Sequence, residues 1–279
     1  MTRSDPLTLM AVHAHPDDEA SSTGGVLARC AAEGIRTVLV TCTRGEFGDG
    51  PGGVKPGEEG HDEAAVVALR ARELAESCRI LGVTVAEQLG YHDSGMMGWP
   101  QNEAPGVFWQ MSVDEAAAPL AALLARYRPQ VVVTYDDNGF YGHPDHIQAH
   151  RITRTAIALT GDVVEKLYYP AIPYSVLGRF AEALQEAGIE MPEQEEREEG
   201  VPPDFGVPDE RIAATVDCSD FADAKFRALA AHGSQTDSSF FLRLKRETFD
   251  SMFGTERYVR EFDRTGSTVP EDDLFAGLR

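Results

Sequence analysis

The sequence predicts an α/β fold, Rossmann-like, with a mainly parallel sheet and helices on both faces. Three observations carry that expectation. Short apolar, β-branched runs alternate with segments of helical period along the first 170 residues. Strand candidates such as "LTLMAV" and "RTVLV" are continuously apolar rather than alternating, as strands buried on both faces are. The polar, chemically dense stretches fall just after those runs, where ligand sites of parallel sheets lie.

The elements follow in order. "LTLMAVHA" (7–14) reads as a buried strand, and "GGVLARCAAEG" (24–34) as a helix ending at Gly34. "RTVLVTCT" (36–43) is a second buried strand. After a Gly-rich loop at 45–60, a helix spans 62–82, with Val67, Leu74, Ile80 and Leu81 at helical spacing. "VAEQLGY" (85–91) is a third strand, and 112–127 a helix opened by a Ser112 cap and an acidic first turn. "PQVVVTYD" (129–136) is a fourth strand, 145–160 a helix and "EKLYYPAI" (165–172) a fifth strand. Further on, a helix is expected near 176–187, a solvated acidic loop at 190–204, a strand near 211–217 and a helix near 220–232. These additions (176–264) extend a core at 7–175 within a single domain, and a polar tail, 265–279, is expected to be mobile.

Composition narrows the function. With 25 basic against 46 acidic residues the formal net charge is −21, and no basic cluster occurs, which argues against a nucleic-acid partner. No apolar run approaches the roughly 20 residues of a membrane span. The N-terminus lacks the pattern of a signal peptide, so the expected compartment is the cytoplasm. Four scattered cysteines without a CxxC pair read as reduced and buried. A homo-oligomer is compatible with all of this.

Four polar stretches follow the first four strands: "HAHPDDE" (13–19), "TRGEFGDG" (43–50), "HDSG" (92–95) and "DDNGFYGHPDHIQAH" (136–150). Together they suggest one site on one rim. Zinc suits such residues, because a catalytic zinc takes three His, Asp or Glu ligands and leaves a place for water. His15 and Asp18 lie in one turn, and "HPDH" offers His143 and His146. Asp17 is adjacent as a candidate base. His143 and Tyr141 suit oxyanion stabilisation and protonation of a leaving amine, and Asp145 could orient a histidine from behind. His13 and His150 read more readily as structural. The loop at 45–60 lacks a phosphate-loop GK[ST], no GxGxxG follows the first strand and GxSxG is absent, against dinucleotide and serine-hydrolase readings.

"AHPDDE" followed far downstream by "HPDH" resembles the LmbE/PIG-L superfamily of zinc-dependent de-N-acetylases. "KFRALAAHGSQ" (225–235) resembles that family's late Lys–Ala–His–Ser–Gln segment. The resemblance is nearest to the mycothiol-pathway members, a deacetylase of N-acetylglucosaminyl-inositol and a conjugate amidase. It implies His15, Asp18 and His146 as metal ligands, Asp17 as general base, His143 as acid or oxyanion partner, and Tyr141 as a carbonyl-polarising group. It implies Arg70 and Asp93 as sugar- or inositol-binding residues, with Glu46 and Gln235 lining the pocket. The expected substrate is a small amino sugar carrying an N-acetyl group. Iron(II) suits the same donors as zinc. The competing readings are a mycothiol-conjugate amidase, a natural-product tailoring deacetylase and, in another class, a non-catalytic sugar- or metal-binding protein. Ser22 stands where the amidases of the family carry a lysine, which favours the deacetylase.

Overall fold

The computed structural model describes residues 6–186, 188, 206–235 and 240–279; the acidic stretch at 190–204 lies outside the described residues. Strand β1 (Thr8–His13) is buried along its whole length. It pairs in parallel with β2 (Arg36–Thr43) on one side and β4 (Val131–Val133) on the other. With β3 (Val85–Tyr91), β5 (Lys166–Pro170), β6 (Ala214–Asp217) and β7 (Thr255–Asp263), the sheet order is β3-β2-β1-β4-β5-β7-β6. The first five strands are mutually parallel, as expected, and β7 runs antiparallel to both β5 and β6. The β7 segment, "TERYVREFD", is absent from the sequence-based reading because its buried positions include Glu256, so no apolar run marks it.

Alternation along β1 divides the interior. Leu9 and Ala11 join a core with Leu27 of α2 (Gly24–Ala32), Leu74 of α3 (Glu63–Leu81), Leu229 of α8 (Ala222–Ala231) and Phe249 of α9 (Arg246–Phe253). Met10 and Val12 face the other core, with Leu120 and Leu124 of α4 (Val113–Tyr127) and Ile152 and Ala156 of α6 (Pro144–Thr160). Between β1 and α2 lies a short helix, α1 (Asp18–Ser22). A single turn, α5 (Gly139–Gly142), precedes α6, and α7 (Tyr174–Glu186) follows β5.

Local chemistry sets the helix ends. Asp62 caps α3, its Oδ1 accepting from the amides of Ala64 (2.9 Å) and Ala65 (3.3 Å), and Gly82 closes the helix at φ 69°. Ser112 occupies the N-cap position of α4, but its hydroxyl makes no capping hydrogen bond. In α3 the buried stripe is Val66, Arg70, Leu74, Ser77, Cys78 and Leu81. Val67 and Ile80, expected in that stripe, sit at its edge because Arg70 and Ser77 are turned inward toward the first loop.

Residues 265–279, expected as a mobile tail, are packed. The Glu271 amide donates to the Ala213 carbonyl, and its own carbonyl accepts from Thr215. Its buried carboxylate accepts from Lys166 Nζ and Tyr168 Oη, each at 2.6 Å. Leu274 and Phe275 enter the first core. A fully buried ammonium is tolerated only with such a partner, so Lys166 and Glu271 hold the tail to the sheet as a pair. Phe275→Ala should therefore destabilise the protein by about 3–5 kcal/mol. A urea midpoint equal to that of the wild type would restore the mobile-tail picture.

Candidate active site

In an open parallel sheet, crevices form at the carboxyl ends where neighbouring strands lead their connections in opposite directions. Here that point lies between β1 and β4, since β1 has β2 on its other side and β4 has β5. The turn after β1 carries His15, Asp17 and Asp18. The stretch after β4 carries Tyr141, His143, Asp145 and His146. The expected ligands and catalytic residues thus meet from two segments about 130 residues apart in the chain.

The first turn is held in an uncommon shape. Asp17 has φ 116° and ψ −26°, a region that costs a residue with a side chain on the order of 1–3 kcal/mol. The Asp17 amide donates to Glu19 Oε2 at 2.9 Å. Arg70, reaching in from α3, donates through Nη2 to the Pro16 carbonyl and through Nη1 to the Gly45 carbonyl at 3.1 Å. Its Nη2 also lies 3.3 Å from Asp17 Oδ1. Gly45 is required here, because a β-carbon at that position would collide with the guanidinium. Behind the turn, His13 bonds to Thr23 and Tyr135, and the Tyr135 hydroxyl accepts from the Ala14 amide at 2.9 Å.

The second segment is shaped by His143. It is the N-cap of α6, and its Nδ1 accepts from the Asp145 amide at 3.1 Å, with Pro144 at the first helical position. An accepting Nδ1 puts the proton of the neutral ring on Nε2. Burial, reinforced by the neighbouring His15 and His146, pushes the His143 pKa well below its ordinary value, so the ring is a neutral Nε2–H donor. His146 bonds through Nδ1 to the Gly139 carbonyl (3.2 Å), which places its lone pair on Nε2. Its ring stacks on Tyr135, centroids 4.1 Å apart. Gly139 has φ 62°, and a β-carbon there would strike His146.

The two segments converge on a cation-shaped gap. His146 Nε2 is buried without a hydrogen-bond partner and faces Asp18 Oδ1 at 3.6 Å. His15 Nε2 meets Asp145 Oδ2 at 3.1 Å, which in the neutral ring leaves Nδ1 as the lone pair, 3.5 Å from Asp18 Oδ2. Burial opposes a charge on His15, but Asp93, Asp145 and Asp18 together hold its pKa well above the ordinary value, so with no metal bound a proton occupies the His15–Asp18 contact. The buried lone pair of His146 faces Asp18 with nothing between them, which is unfavourable unless a cation joins them. Two donors about 2.0–2.1 Å from a tetrahedral zinc are separated by roughly 3.4 Å, close to both contacts. The residues therefore fit a divalent metal. The most compact three-donor groups among the described residues are His15–His143–His146 and His15–Asp93–Asp145, each within 4.8 Å. His143 carries its proton toward the gap, and the Asp145 carboxylate is engaged behind His15 and by the Ser94 amide (2.9 Å), so Asp18 completes the better ligand set. Asp145 stands behind His15, where a carboxylate can orient the ring. Burial first, then Asp93, raises its pKa to about 6 against the opposing pull of His15.

The remaining expected residues divide. Tyr141 is 44% exposed at the mouth, its ring 6.1 Å from that of His143. Asp93 Oδ1 approaches His15 Nε2 at 3.8 Å and accepts from the Gly95 amide at 2.8 Å. Glu46 stands behind it, accepting from the Asp93 amide at 3.0 Å; Arg44 Nε lies 2.8 Å from Glu46 Oε1 without hydrogen-bond alignment. Gln235 spans the amide and carbonyl of Asp49, both at 3.2 Å, and so anchors the Gly-rich loop. His150, read as structural, bonds the Tyr135 carbonyl at 2.9 Å. Sequence reasoning missed Tyr135, Glu19, Ser77 and His232. Tyr135 ends an apolar run and looked like core; Glu19 and His232 stood inside quoted motifs without a chemical reason to single them out.

The family model for GlcNAc-PI de-N-acetylase (PIG-L) matches residues 10–157, which spans both segments of the site. The chain is 44% identical to the 1D-myo-inositol 2-acetamido-2-deoxy-alpha-D-glucopyranoside deacetylase of Acidothermus cellulolyticus, covering 97% of this chain and 95% of that protein. The N,N'-diacetylchitobiose deacetylase of Pyrococcus horikoshii shares the fold, with a TM-score of 0.57 and 20% identity over 92% of this chain and 84% of its own. So does the 4-carboxy-2-hydroxymuconate hydratase GalB of Pseudomonas putida, with a TM-score of 0.58 and 16% identity over 94% of this chain and 99% of its own. That pair shows that the fold alone does not choose the reaction. The family match and the identity over nearly the whole chain do more than a shared fold: the chain belongs to the GlcNAc-PI de-N-acetylase (PIG-L) family.

Proposed function

We propose that this protein is a metal-dependent N-deacetylase that removes the acetyl group from an N-acetylglucosamine-type substrate resembling GlcNAc-inositol. The observation that carries the reading is the convergence of the His15, Asp18 and His146 lone pairs beside the Asp17 carboxylate. His15, Asp18 and His146 would hold the metal, with zinc favoured and iron(II) compatible with the same donors. Bound there, a divalent cation polarises an amide carbonyl and lowers the pKa of water to about 7.

The chain's own groups perform the proton transfers. Asp17 takes a proton from the attacking water. Burial raises its pKa to about 6, partly offset by Arg70 and reinforced by Asp18, so the carboxylate is a base matched to near-neutral pH. Water oxygen bonds to the amide carbon while His143 Nε2–H donates to the developing oxyanion. Tyr141, at the mouth, would donate a hydrogen bond from its hydroxyl to the same oxygen. Protonated Asp17 then returns its proton to the departing nitrogen as the C–N bond breaks, releasing acetate and the free amine. Arg70, 3.3 Å from Asp17 Oδ1, and Asp93, 3.8 Å from His15 Nε2, would be the groups nearest the reacting centre to meet the hydroxyl-rich ring. Glu46 and Gln235 act one layer further out, through Asp93 and the Asp49 backbone. The protein is expected to act in the cytoplasm; no helix among the described residues is long and apolar enough to cross a membrane.

Three outcomes test this reading. Chelation should abolish hydrolysis and added zinc restore it, with elemental analysis tracking occupancy; full activity in metal-stripped protein would exclude the mechanism. Asp17→Asn should retain metal while losing about 10²–10⁴-fold in turnover, whereas parallel loss of metal would make Asp17 a ligand. Mass-spectrometric turnover of a substrate panel should favour N-acetylglucosaminyl-inositol over a thiol conjugate. A tenfold preference for the conjugate, about 1.4 kcal/mol in transition-state binding, would reassign the enzyme as an amidase.

A further inference from the structure

Asp17 holds a left-handed backbone conformation that a residue with a side chain adopts only when its surroundings impose it. Pro16, before it, is gripped through its carbonyl by Arg70. The Asp17 amide itself is gripped from the other side by Glu19, whose carboxylate is fully buried. Glu19 is in turn fixed by two elements distant in sequence. Its Oε1 accepts from Ser77 Oγ of α3 at 2.5 Å and from His232 Nε2 at 2.7 Å.

His232 is the residue just past α8, in the part of the chain beyond the expected core. It too is fully buried, and its Nδ1 has no hydrogen-bond partner, so the ring's hydrogen bond to Glu19 is its polar contact. At the other end of α8, Lys225 pairs with Glu256 at 2.6 Å, and Glu256 also accepts from the amides of Gly25 (2.7 Å) and Val26 (3.0 Å) at the start of α2. Helix α8 is thereby locked to the sheet and to α2, and it presents His232 to Glu19 at a fixed place. Two buried polar groups spent on one peptide N–H are expensive in a core. A purely structural joint at this point could have been apolar.

We infer that the His232–Glu19 pair is a positioning device for catalysis: it clamps the Asp17 peptide so that the Asp17 carboxylate stays aimed between the metal ligands and the substrate nitrogen. Neither residue touches substrate or metal; both act through Asp17. The inference rests on the assignment of Asp17 as base.

The test uses the full-length, metal-loaded protein and steady-state hydrolysis of N-acetylglucosaminyl-inositol. Glu19→Gln and His232→Ala should each lower kcat on the order of 10- to 100-fold, the scale expected for a displaced catalytic group, with KM and metal content close to wild type. His232→Gln, whose amide can still donate to Glu19, should recover part of the loss. In an Asp17→Asn background the same substitutions should change the residual rate by less than about threefold, because residues acting through one group are not additive. Wild-type kcat in a folded Glu19→Gln or His232→Ala protein overturns the inference. So does an equal proportional loss in both backgrounds, which marks a general structural role. If one of the two variants does not fold, the other decides by the same readouts, and His232→Gln serves if neither does, overturning the inference should it lose activity as badly as metal. Near wild-type turnover by Asp17→Asn would remove the base assignment and this inference together. An inactive Asp17→Asn beside a fully active His232→Ala would remove the positioning role alone.

Discussion

The parallel pairing of β1 with β4, Leu9 with Val131 through Ala11 with Val133, is the contact on which the site depends. It sets the end of "LMAVH" level with the end of "VVV" and points both following segments into one crevice. Neither segment alone brings together the three proposed ligands. The first brings His15 and Asp18, the second His146, and each histidine needs a hydrogen bond from its own segment or the opposite one to aim its lone pair. A slip of one residue in this register would reverse every side chain across the sheet, so the cores on both faces protect the geometry of the centre.

The centre is also a concentration of buried charge, and its neighbours answer that cost locally. Arg70, Glu19 and Asp145 are each nearly or fully buried, and each contacts a group in the two loops that carry the proposed ligands and base. Asp17 sits where burial and Asp18 raise its pKa while Arg70 opposes them. Asp18 goes the other way: burial resists its charge, yet His146 and His15 overcome that and hold its pKa well below the ordinary value. Two adjacent carboxylates thus acquire different chemistry, one suited to moving protons and one to staying ionised.

The C-terminal part of the chain is joined to this arrangement rather than appended to it. It adds β6 and β7 to the sheet, and α8 packs over α2 and α3. From the segment just after α8 come His232 behind the first turn and Gln235 under the Gly-rich loop. The loop at 45–60 is likewise tied down, by Gln235 at Asp49, by His61 at the Gly48 carbonyl (2.9 Å) and by the contact of Lys55 with Asp49 at 2.9 Å.

What the sequence determined by itself is what near neighbours decide. Runs such as "LTLMAV" and "RTVLV" can be buried only as central strands, so the α/β class and the first five strands were legible. His15, Asp17 and Asp18 share one turn, and His143 and His146 share one helix start, so the candidate donors were legible as residue types. Tertiary structure decided what depends on distant partners. Which nitrogen of His15 is free follows from Asp145, 130 positions away, and which nitrogen of His146 is free follows from the carbonyl of Gly139. Glu19, Ser77 and His232 read as an ordinary carboxylate, hydroxyl and imidazole until α1, α3 and α8 bring them together. Strand β7 escaped notice because a buried Glu256 breaks its apolar pattern, and that glutamate is affordable only beside Lys225, Tyr258 and the first amides of α2. Pattern reports a residue's preference for water or core. The partner that lets a polar residue enter the core is set by the fold.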